Sequence, residues 1–444
     1  MSDSPTPSPS PSPSTVIDRL VSREARVAVV GQGYVGLTVA ATAAEAGFWV
    51  TGIDVDAERV DRLSRGEACV PGVTPALFDA GIRNGRLQFS ATPEPIADAE
   101  VVLICVPTPL RDHSPDLHFV EEAAADVAAH LRVGALVLLE STTYPGTTDD
   151  LVVPILEAQG LRSGLDFLLA YSPERVDPGN QEYGMRNTPR LVGGHTPAAT
   201  DAAVAFYEQI VDKVVQVSTT RAAETAKLLE NTFRHINIGL VNELAMLCHE
   251  LGIDVWEVID AAGTKPFGFM PFAPGPGIGG HCIPLDPTYL SWQVRRQVGR
   301  RFGLLEQAQD VNERMPNYVV SRIGEMLNEQ GRSVRGARIL ALGVAYKPDV
   351  GDVRGSPSLQ VIQQLHRRGA EVEFHDFFVD AVTLNGEQSN GVQDLGSALE
   401  NADLVVLLTP HTRYDLEEIA ARAPLVFDTR NAFGARRPPN VVAL

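Results

Sequence analysis

From Arg26 onward the chain alternates short apolar runs with longer stretches of helical spacing. Arg26–Val30 is a β-rich apolar run, and Gly31-Gln32-Gly33-Tyr34-Val35-Gly36 follows at once. An Ala-rich helical pattern then extends to about Ala46, and Trp49–Ile53 reads as a second strand, closed by Asp54. Further buried-strand runs lie at Val101–Val106, Leu136–Glu140 and Phe167–Ala170, with helical stretches between them. Strands alternating with helices predict βαβ units and a parallel sheet.

The stretch Thr219 to Gly252 breaks this rhythm. Only Gly239 interrupts it, and its apolar residues recur at helical spacing. A helix of about 30 residues at ~1.5 Å per residue spans on the order of 45 Å, long enough to bridge two domains. A plain core helix has the same pattern. After Arg335 the βα alternation restarts, with strands at Ala337–Leu342, Glu371–His375, Leu404–Thr409 and Leu425–Asp428 and a helix over Ser358–Arg368. The expected fold is α/β, with two doubly wound Rossmann-like domains joined by a long central helix. The expected division is 1–22 as a tail, 23–218, 219–332 and 333–444. In the last domain Leu342-Gly343-Val344-Ala345-Tyr346-Lys347 replaces the Gly-rich turn, which speaks against a second dinucleotide there but leaves room for another nucleotide.

Met1 to Ser14 is nearly all Ser and Pro, with neither a basic start nor an apolar core, so it is not a signal peptide. Such a segment cannot bury enough surface to fold, and order is expected to begin near Arg23. Hydrophobic residues make up 44% of the 444 and charged ones 21%, an ordinary globular balance. The net charge of −19 argues against nucleic acid and anionic membrane surfaces. It leaves open an anionic ligand held by a local cation cluster or a helix N-terminus. No run approaches the ~18 apolar residues of a membrane span. Cys69, Cys105, Cys248 and Cys282 are far apart, with no metal spacing. Disulfides and metal are therefore not expected, and a reducing cytoplasm fits.

Gly31, Gly33 and Gly36 follow a strand and open a helix. The first permits the tight turn, the second lets backbone approach a pyrophosphate, and the third allows close helix packing. A bare turn of this kind is weak evidence, but Asp54 ends the next strand at the right distance. Its carboxylate can accept from a ribose 2′-hydroxyl and would repel a 2′-phosphate, so NAD is expected rather than NADP. Lys227 and Asn231 are four apart on the long helix and share a face, although a lone helical Lys is usually solvated surface. Pro274–Asp286 is a Gly/Pro loop running into Cys282, with Asp286 four residues later. A helix beginning near Cys282 would favour its thiolate; a buried structural cysteine in a turn is the competing reading.

Taken together, these motifs resemble the UDP-glucose/GDP-mannose dehydrogenase family. The similarity runs over about 24–440, through the Gly31 turn, Cys105–Pro109, Glu140–Thr148, Ser172–Arg175, Lys227/Asn231, Gly279–Cys282, Tyr346–Asp349 and Arg354–Pro357. The resemblance implies an NAD-dependent, four-electron oxidation of a sugar C6 hydroxymethyl to a carboxylate, serving polysaccharide biosynthesis. It implies Cys282 as the nucleophile that carries a thiohemiacetal and then a thioester. It implies Lys227 as oxyanion stabiliser, Asn231 as orienter of the oxygen, and Asp286 as tuner of Lys227 or of the hydrolytic water. Glu174 and Thr142 would position or activate that water. Gly31, Gly33, Tyr34, Val35, Gly36, Asp54, Arg59, Pro107, Thr108, Thr142 and Arg354 would line the cofactor. Glu174, Arg175, Lys227, Asn231, Arg234, Gly279 and Lys347 would meet the UDP-sugar. The site would lie between the two α/β domains, and a homodimer would form through the long helix, whose Ile236, Ile238, Leu240 and Val241 also suit a core.

After Ser-Pro-Glu, UDP-glucose enzymes of this family typically carry an aromatic, a leucine and a second glutamate. This chain has Arg175-Val176-Asp177-Pro178-Gly179-Asn180. Arg175 could donate to an acetamido carbonyl, and the missing glutamate could open room beside C2. UDP-N-acetylglucosamine is therefore expected ahead of UDP-glucose, with UDP-N-acetylmannosamine as an alternative that no residue decides. A two-electron hydroxyacid dehydrogenase would share the helix Lys and Asn but form one NADH per product rather than two. A non-catalytic NAD or nucleotide-sugar sensor would bind without forming any.

Overall fold

The computed structural model describes residues 13–67, 70, 73, 75–111, 114–176, 180, 182–280 and 282–444; for 13–15, 75, 77 and 282 it describes the backbone alone. The chain forms two compact units. One is built from the chain up to Leu229 together with Thr288–Gln297, the other from Glu230–Pro287 with Val298–Leu444.

The first unit holds an eight-stranded sheet. Its strands are β1 (Arg26–Val30), β2 (Trp49–Ile53), β3 (Leu87–Ser90), β4 (Val101–Ile104), β5 (Leu136–Leu139), β6 (Leu168–Tyr171), β7 (Arg190–Gly194) and β8 (Val214–Gln216). They are ordered β8-β7-β6-β5-β4-β1-β2-β3. Alternate residues of one strand enter different cores: Val101 and Leu103 pack on one face, Val102 and Ile104 on the other. Burial on both faces explains why these strands read as continuous apolar runs. The chain reverses direction across the sheet between β1 and β4, which opens a crevice at their C-terminal ends.

Two features depart from the sequence reading. The sheet is not wholly parallel, since β7 runs antiparallel to β6. Parallel neighbours need a crossover, usually helical, and among the described residues of 172–189 there is no helix, so the chain turns straight back. The second is α1 (Pro13–Val21), so the described structure does not start at Arg23. Val16 and Leu20 are buried in the main core of this unit, where α1 packs on the helix Pro197–Tyr207. The Ser/Pro bias of the segment hides these apolar residues, which fall four apart on one helical face. Residues 1–12 of the expected tail lie outside the described residues.

The second unit holds a five-stranded parallel sheet of β9 (Arg338–Leu342), β10 (Glu371–His375), β11 (Leu404–Leu407), β12 (Val426–Asp428) and β13 (Val441–Ala443). The order is β10-β9-β11-β12-β13, again with a reversal, here between β9 and β11. Besides α2 (Tyr34–Ala46), the helices that matter below are α3 (Thr220–Leu251), α4 (Cys282–Val298), α5 (Gly303–Glu329) and α6 (Pro357–Arg367). The chain of both α3 and α4 contributes to both units.

Candidate active site

At the β1/β4 crevice two of the three glycines, Gly31 and Gly36, are demanded by space. Gly31 has φ of 91°, and a Cβ on it would lie 2.5 Å from the Cys105 carbonyl oxygen. A Cβ on Gly36 would lie 1.8 Å from the Gly31 oxygen. At Gly33 nothing stands within 4 Å, so the N-terminus of α2, at Tyr34 and Val35, opens onto clear space. No side chain caps that end, an arrangement that suits an anion such as a dinucleotide pyrophosphate. Asp54 is buried after β2. Its carboxylate accepts the backbone N–H of Gln32 at 2.7 Å and of Asp56 at 3.0 Å, and the Arg59 guanidinium at 2.8 Å. A carboxylate has about four acceptor positions, so these bonds leave capacity for ribose. The residues fit NAD.

Behind this crevice, Cys105 is buried and burial pushes its thiol well up, reinforced by the charge of Glu140. It is inert as a nucleophile. Ser141 ties the loop after β4 to the loop after β5, accepting from the Val106 N–H at 3.0 Å and donating to the Val106 oxygen at 2.8 Å. Pro107 is exposed, Thr142 half-buried, and the buried Thr108 offers its carbonyl to the Tyr289 hydroxyl. The loop is further organised by Glu224 on α3, which accepts the N–H groups of Gly146 at 2.6 Å and Thr148 at 2.9 Å.

Glu174 is a buried carboxylate held by three donors. Oε1 accepts the N–H groups of Arg175 at 2.7 Å and Val176 at 2.6 Å, while Oε2 accepts from Arg190 Nη1 at 2.7 Å. Burial alone would raise its pKa, but Arg190 and the two amides outweigh burial and hold it below the usual carboxylate range. Glu140, on the other side of Arg190 and bonded by the Tyr207 hydroxyl at 2.5 Å, is pushed up, because there burial outweighs the Arg190 charge. Arg175 Nη1 donates to the Pro189 oxygen at 2.7 Å. Asp177, Pro178 and Gly179 lie outside the described residues.

On α3, Lys227 and Asn231 are both buried and one turn apart. Asn231 Nδ2 donates to Asp286 Oδ2 at 2.5 Å, and Asp286 is 1% exposed. Asp286 is thus the partner of Asn231, a pairing not foreseen from sequence. One turn further along α3, His235 Nδ1 stands 3.3 Å from the Ile283 oxygen, and burial lowers the imidazole pKa despite that carbonyl. Both bonds reach the N-terminal part of α4, whose first residue is Cys282. The Cys282 side chain and all of His281 lie outside the described residues. Gly280 has φ of 85° and donates its N–H to the Arg354 oxygen at 3.0 Å; a Cβ on Gly279 would lie 2.6 Å from Tyr346 Cβ. Arg234 is exposed and Lys347 half-buried. The Arg354 guanidinium is engaged by Asp352 at 2.7 Å.

Arg190, Glu140, Glu224, Tyr289 and His235 were not foreseen. Arg190 carries one available signal: a cation at the head of the fully apolar run Leu191–Val192 is a candidate buried partner for a carboxylate. Among the described residues no His/Cys/Asp/Glu cluster could hold a metal, and no helix is long and apolar enough to cross a membrane.

Three family models match in chain order. They describe the NAD-binding domain of the UDP-glucose/GDP-mannose dehydrogenase family over residues 25–211, its central domain over 221–314 and its UDP-binding domain over 340–435. The chain is 35% identical over 422 residues to a UDP-N-acetyl-D-mannosamine dehydrogenase of Pyrococcus horikoshii, covering 93% of this chain and 97% of that protein. It is 34% identical to an NDP-N-acetyl-D-galactosaminuronic acid dehydrogenase of Ralstonia nicotianae, covering 95% and 99%. The solved structure of a UDP-D-ManNAc dehydrogenase from Pyrococcus horikoshii matches with a TM-score of 0.85 at 33% identity, over 94% of this chain and 98% of that one.

Proposed function

Because the chain belongs to the UDP-glucose/GDP-mannose dehydrogenase family, we propose that it oxidises the C6 hydroxymethyl of a UDP-N-acetylhexosamine to the uronic acid, with UDP-N-acetylmannosamine as the preferred substrate. The enzyme is an NAD-dependent UDP-sugar dehydrogenase, an oxidoreductase acting on a CH–OH group, and it carries the UDP-binding domain of the family. The sequence alone favoured UDP-N-acetylglucosamine and kept the mannosamine epimer as the alternative. The relatives that act on UDP-N-acetylmannosamine support putting that epimer first. The division of the chain at 218 and 332 is retained as a functional one.

The observation that carries the chemistry is the bond from Asn231 to Asp286, four residues into the helix that Cys282 begins. NAD, when bound, accepts a hydride in each of the two oxidations. The amide of Asn231 has two N–H groups; Asp286 holds one, which aims the other at the substrate oxygen. Lys227 stabilises the alkoxide as it forms. The Cys282 thiolate adds to the resulting aldehyde, and loss of the second hydride leaves a thioester. Water cleaves it, freeing the carboxylate and the thiol. The balance is one CH2OH, two NAD and one water giving one carboxylate, two NADH and three protons. Thr142 and Glu174 hold the water. Glu174, already accepting three donors, is a weak base, so its role is to orient water rather than to take its proton. Arg175 supports the sugar end.

A homodimer through α3 accounts for the exposure of Phe233, Leu240, Leu247 and Leu251, while Val241 faces its own core. A cytoplasmic setting suits a cysteine nucleophile that must stay reduced. The test is a comparison of kcat/KM for UDP-N-acetylmannosamine, UDP-N-acetylglucosamine and UDP-glucose at one NAD concentration, with NADH counted per acid. A higher value for UDP-glucose overturns the substrate class, and a higher value for the glucosamine epimer overturns the stereochemistry. One NADH per product overturns the mechanism.

A further inference from the structure

The second unit repeats the geometry of the first at its own sheet reversal, with one substitution. Asp376 follows β10 as Asp54 follows β2, and each accepts backbone N–H groups from the turn after the first strand of its sheet. For Asp376 these are Val344 at 2.8 Å and Ala345 at 3.2 Å, both on Oδ2. Asp54 keeps acceptor capacity; Asp376 does not. Its Oδ1 takes the Phe378 N–H at 2.8 Å, His411 Nε2 stands 2.9 Å from Oδ2, and the side chain is fully buried. With four donors on it and no exposed side-chain surface, Asp376 is closed to a ribose hydroxyl.

His411 itself is buried, and its tautomer follows from its neighbours. Nδ1 accepts the backbone N–H of Asp349 at 2.9 Å, so Nε2 carries the hydrogen and donates to Asp376. One neutral ring therefore ties the start of the turn, through Asp376, to its end at Asp349. Asp349 has φ of 60°, a left-handed conformation unusual for a side chain of its kind. It is held there by a second bond, the Thr412 N–H to its Oδ1 at 2.9 Å. Thr409 Oγ1 adds a third tie, donating to the Ala345 oxygen at 2.6 Å. Thr409, His411 and Thr412 thus bracket 345 and 349, and Lys347 sits midway between those fixed points.

We propose that His411 is a positioning residue for the nucleotide diphosphate: it fixes the turn that presents Lys347, and so sets affinity for the UDP end of the substrate without touching it. The inference rests on the reading above in which Lys347 meets UDP. The first unit leaves a helix N-terminus open for a pyrophosphate. The second has filled its ribose acceptor with a histidine and converted the same turn into a rigid mount for a cation.

The experiment measures UDP binding by calorimetry on the full chain, alongside KM for the UDP-sugar and for NAD. His411→Leu leaves the buried Asp349 N–H unpaired and takes one of four donors from Asp376, so the turn loosens and UDP should weaken about tenfold, with NAD affinity changed less than about twofold. His411→Gln can accept from Asp349 and donate to Asp376, and it should recover most of the loss. Lys347→Met should weaken UDP as well, and His411→Leu added to it should cost little more, because the two act on one interaction. Additive losses, equal weakening of UDP and NAD, or no rescue by glutamine would overturn the proposal for His411. Unchanged UDP affinity in Lys347→Met would instead overturn the role given to Lys347. If His411→Leu does not fold, Thr409→Val replaces it: a UDP loss of a few-fold that vanishes on the Lys347→Met background supports the bracket, and no loss overturns it.

Discussion

Arg190 Nη1 donates to Glu174 Oε2 across 2.7 Å, and the opposite edge of the same guanidinium pairs with Glu140. One cation is thus shared by two buried carboxylates, with its own charge 5.0 Å above the Tyr207 ring. The arrangement gives the two acids opposite tendencies. Burial wins at Glu140 and raises its pKa, whereas Arg190 and two backbone amides win at Glu174 and lower it.

Arg190→Met should therefore strand two acids rather than remove one bond. Losing one partner of a buried ion pair costs about 3–5 kcal/mol, read as a fall in the urea midpoint. Without Arg190, burial raises both carboxyls above their unfolded values, so the folded variant holds more protons than the unfolded chain. Its stability then falls as pH rises through those raised values. In the wild type, Glu174 is lowered and contributes stability above its unfolded value of about 4.3, lost as pH falls further. The penalty of the variant should accordingly be larger at pH 8 than at pH 5. An equal penalty at both would mean that the carboxylates do not respond to Arg190.

Asp54→Ala removes the acceptor proposed for the ribose and releases Arg59, which pairs with Asp54 at 2.8 Å. A hydrogen bond to a charged group contributes about 1.5–3 kcal/mol, so NAD should weaken roughly tenfold to a hundredfold. NADP should weaken less, because a repelling carboxylate is gone and a guanidinium is left beside the 2′ position. The ratio of kcat/KM for the two cofactors checks this, and an unchanged ratio would make Asp54 purely structural.

Cys282→Ser should keep binding NAD and UDP-sugar but yield no sugar acid, since a hydroxyl at neutral pH does not replace a thiolate as acyl carrier. Asn231→Ala removes the donor that Asp286 orients and should lower kcat about 10²–10³-fold, the usual loss for one oxyanion donor. Mass analysis of the C6 product together with NADH counting separates them: the first variant fails at the acid, the second slows both oxidations. Full acid yield from Cys282→Ser would end the covalent assignment.

The strands and the cofactor turn were legible because their causes are local. A strand buried on both faces must be apolar throughout, and the Gly31–Gly36 turn leaves no room for Cβ atoms where two backbones meet. What escaped depends on partners far away in the chain. The antiparallel β7 follows from a connection with no helix among its described residues, which no strand pattern encodes. Helix α5 contains Pro316, a residue that normally ends a helix pattern; its buried Val311, Met315, Val319 and Ile323 carry it through. Arg190 and His411 are single polar residues whose importance arises only when Glu174, Glu140, Asp376 and Asp349 are folded against them. Asn231 and Asp286 were each legible as residues, but 55 positions of chain separate the partners of that bond.

The first described helix gives the last prediction. Leu20 is fully buried and Val16 nearly so, both packed in the core that also contains Phe206. Leu20→Ala should cost about 2–5 kcal/mol, the range for emptying a buried leucine site. Removing residues 1–12 should leave activity and the unfolding midpoint unchanged, since a Ser/Pro segment has little apolar surface to bury. Removing 1–22 should instead lower the midpoint by at least as much as Leu20→Ala, because it takes Val16 and Leu20 together and exposes the helix Pro197–Tyr207 beneath them. Thermal unfolding followed by near-ultraviolet dichroism on the three chains decides it. If the 1–22 deletion melts with the wild type, α1 contributes no stability and the boundary expected at Arg23 is the functional one after all.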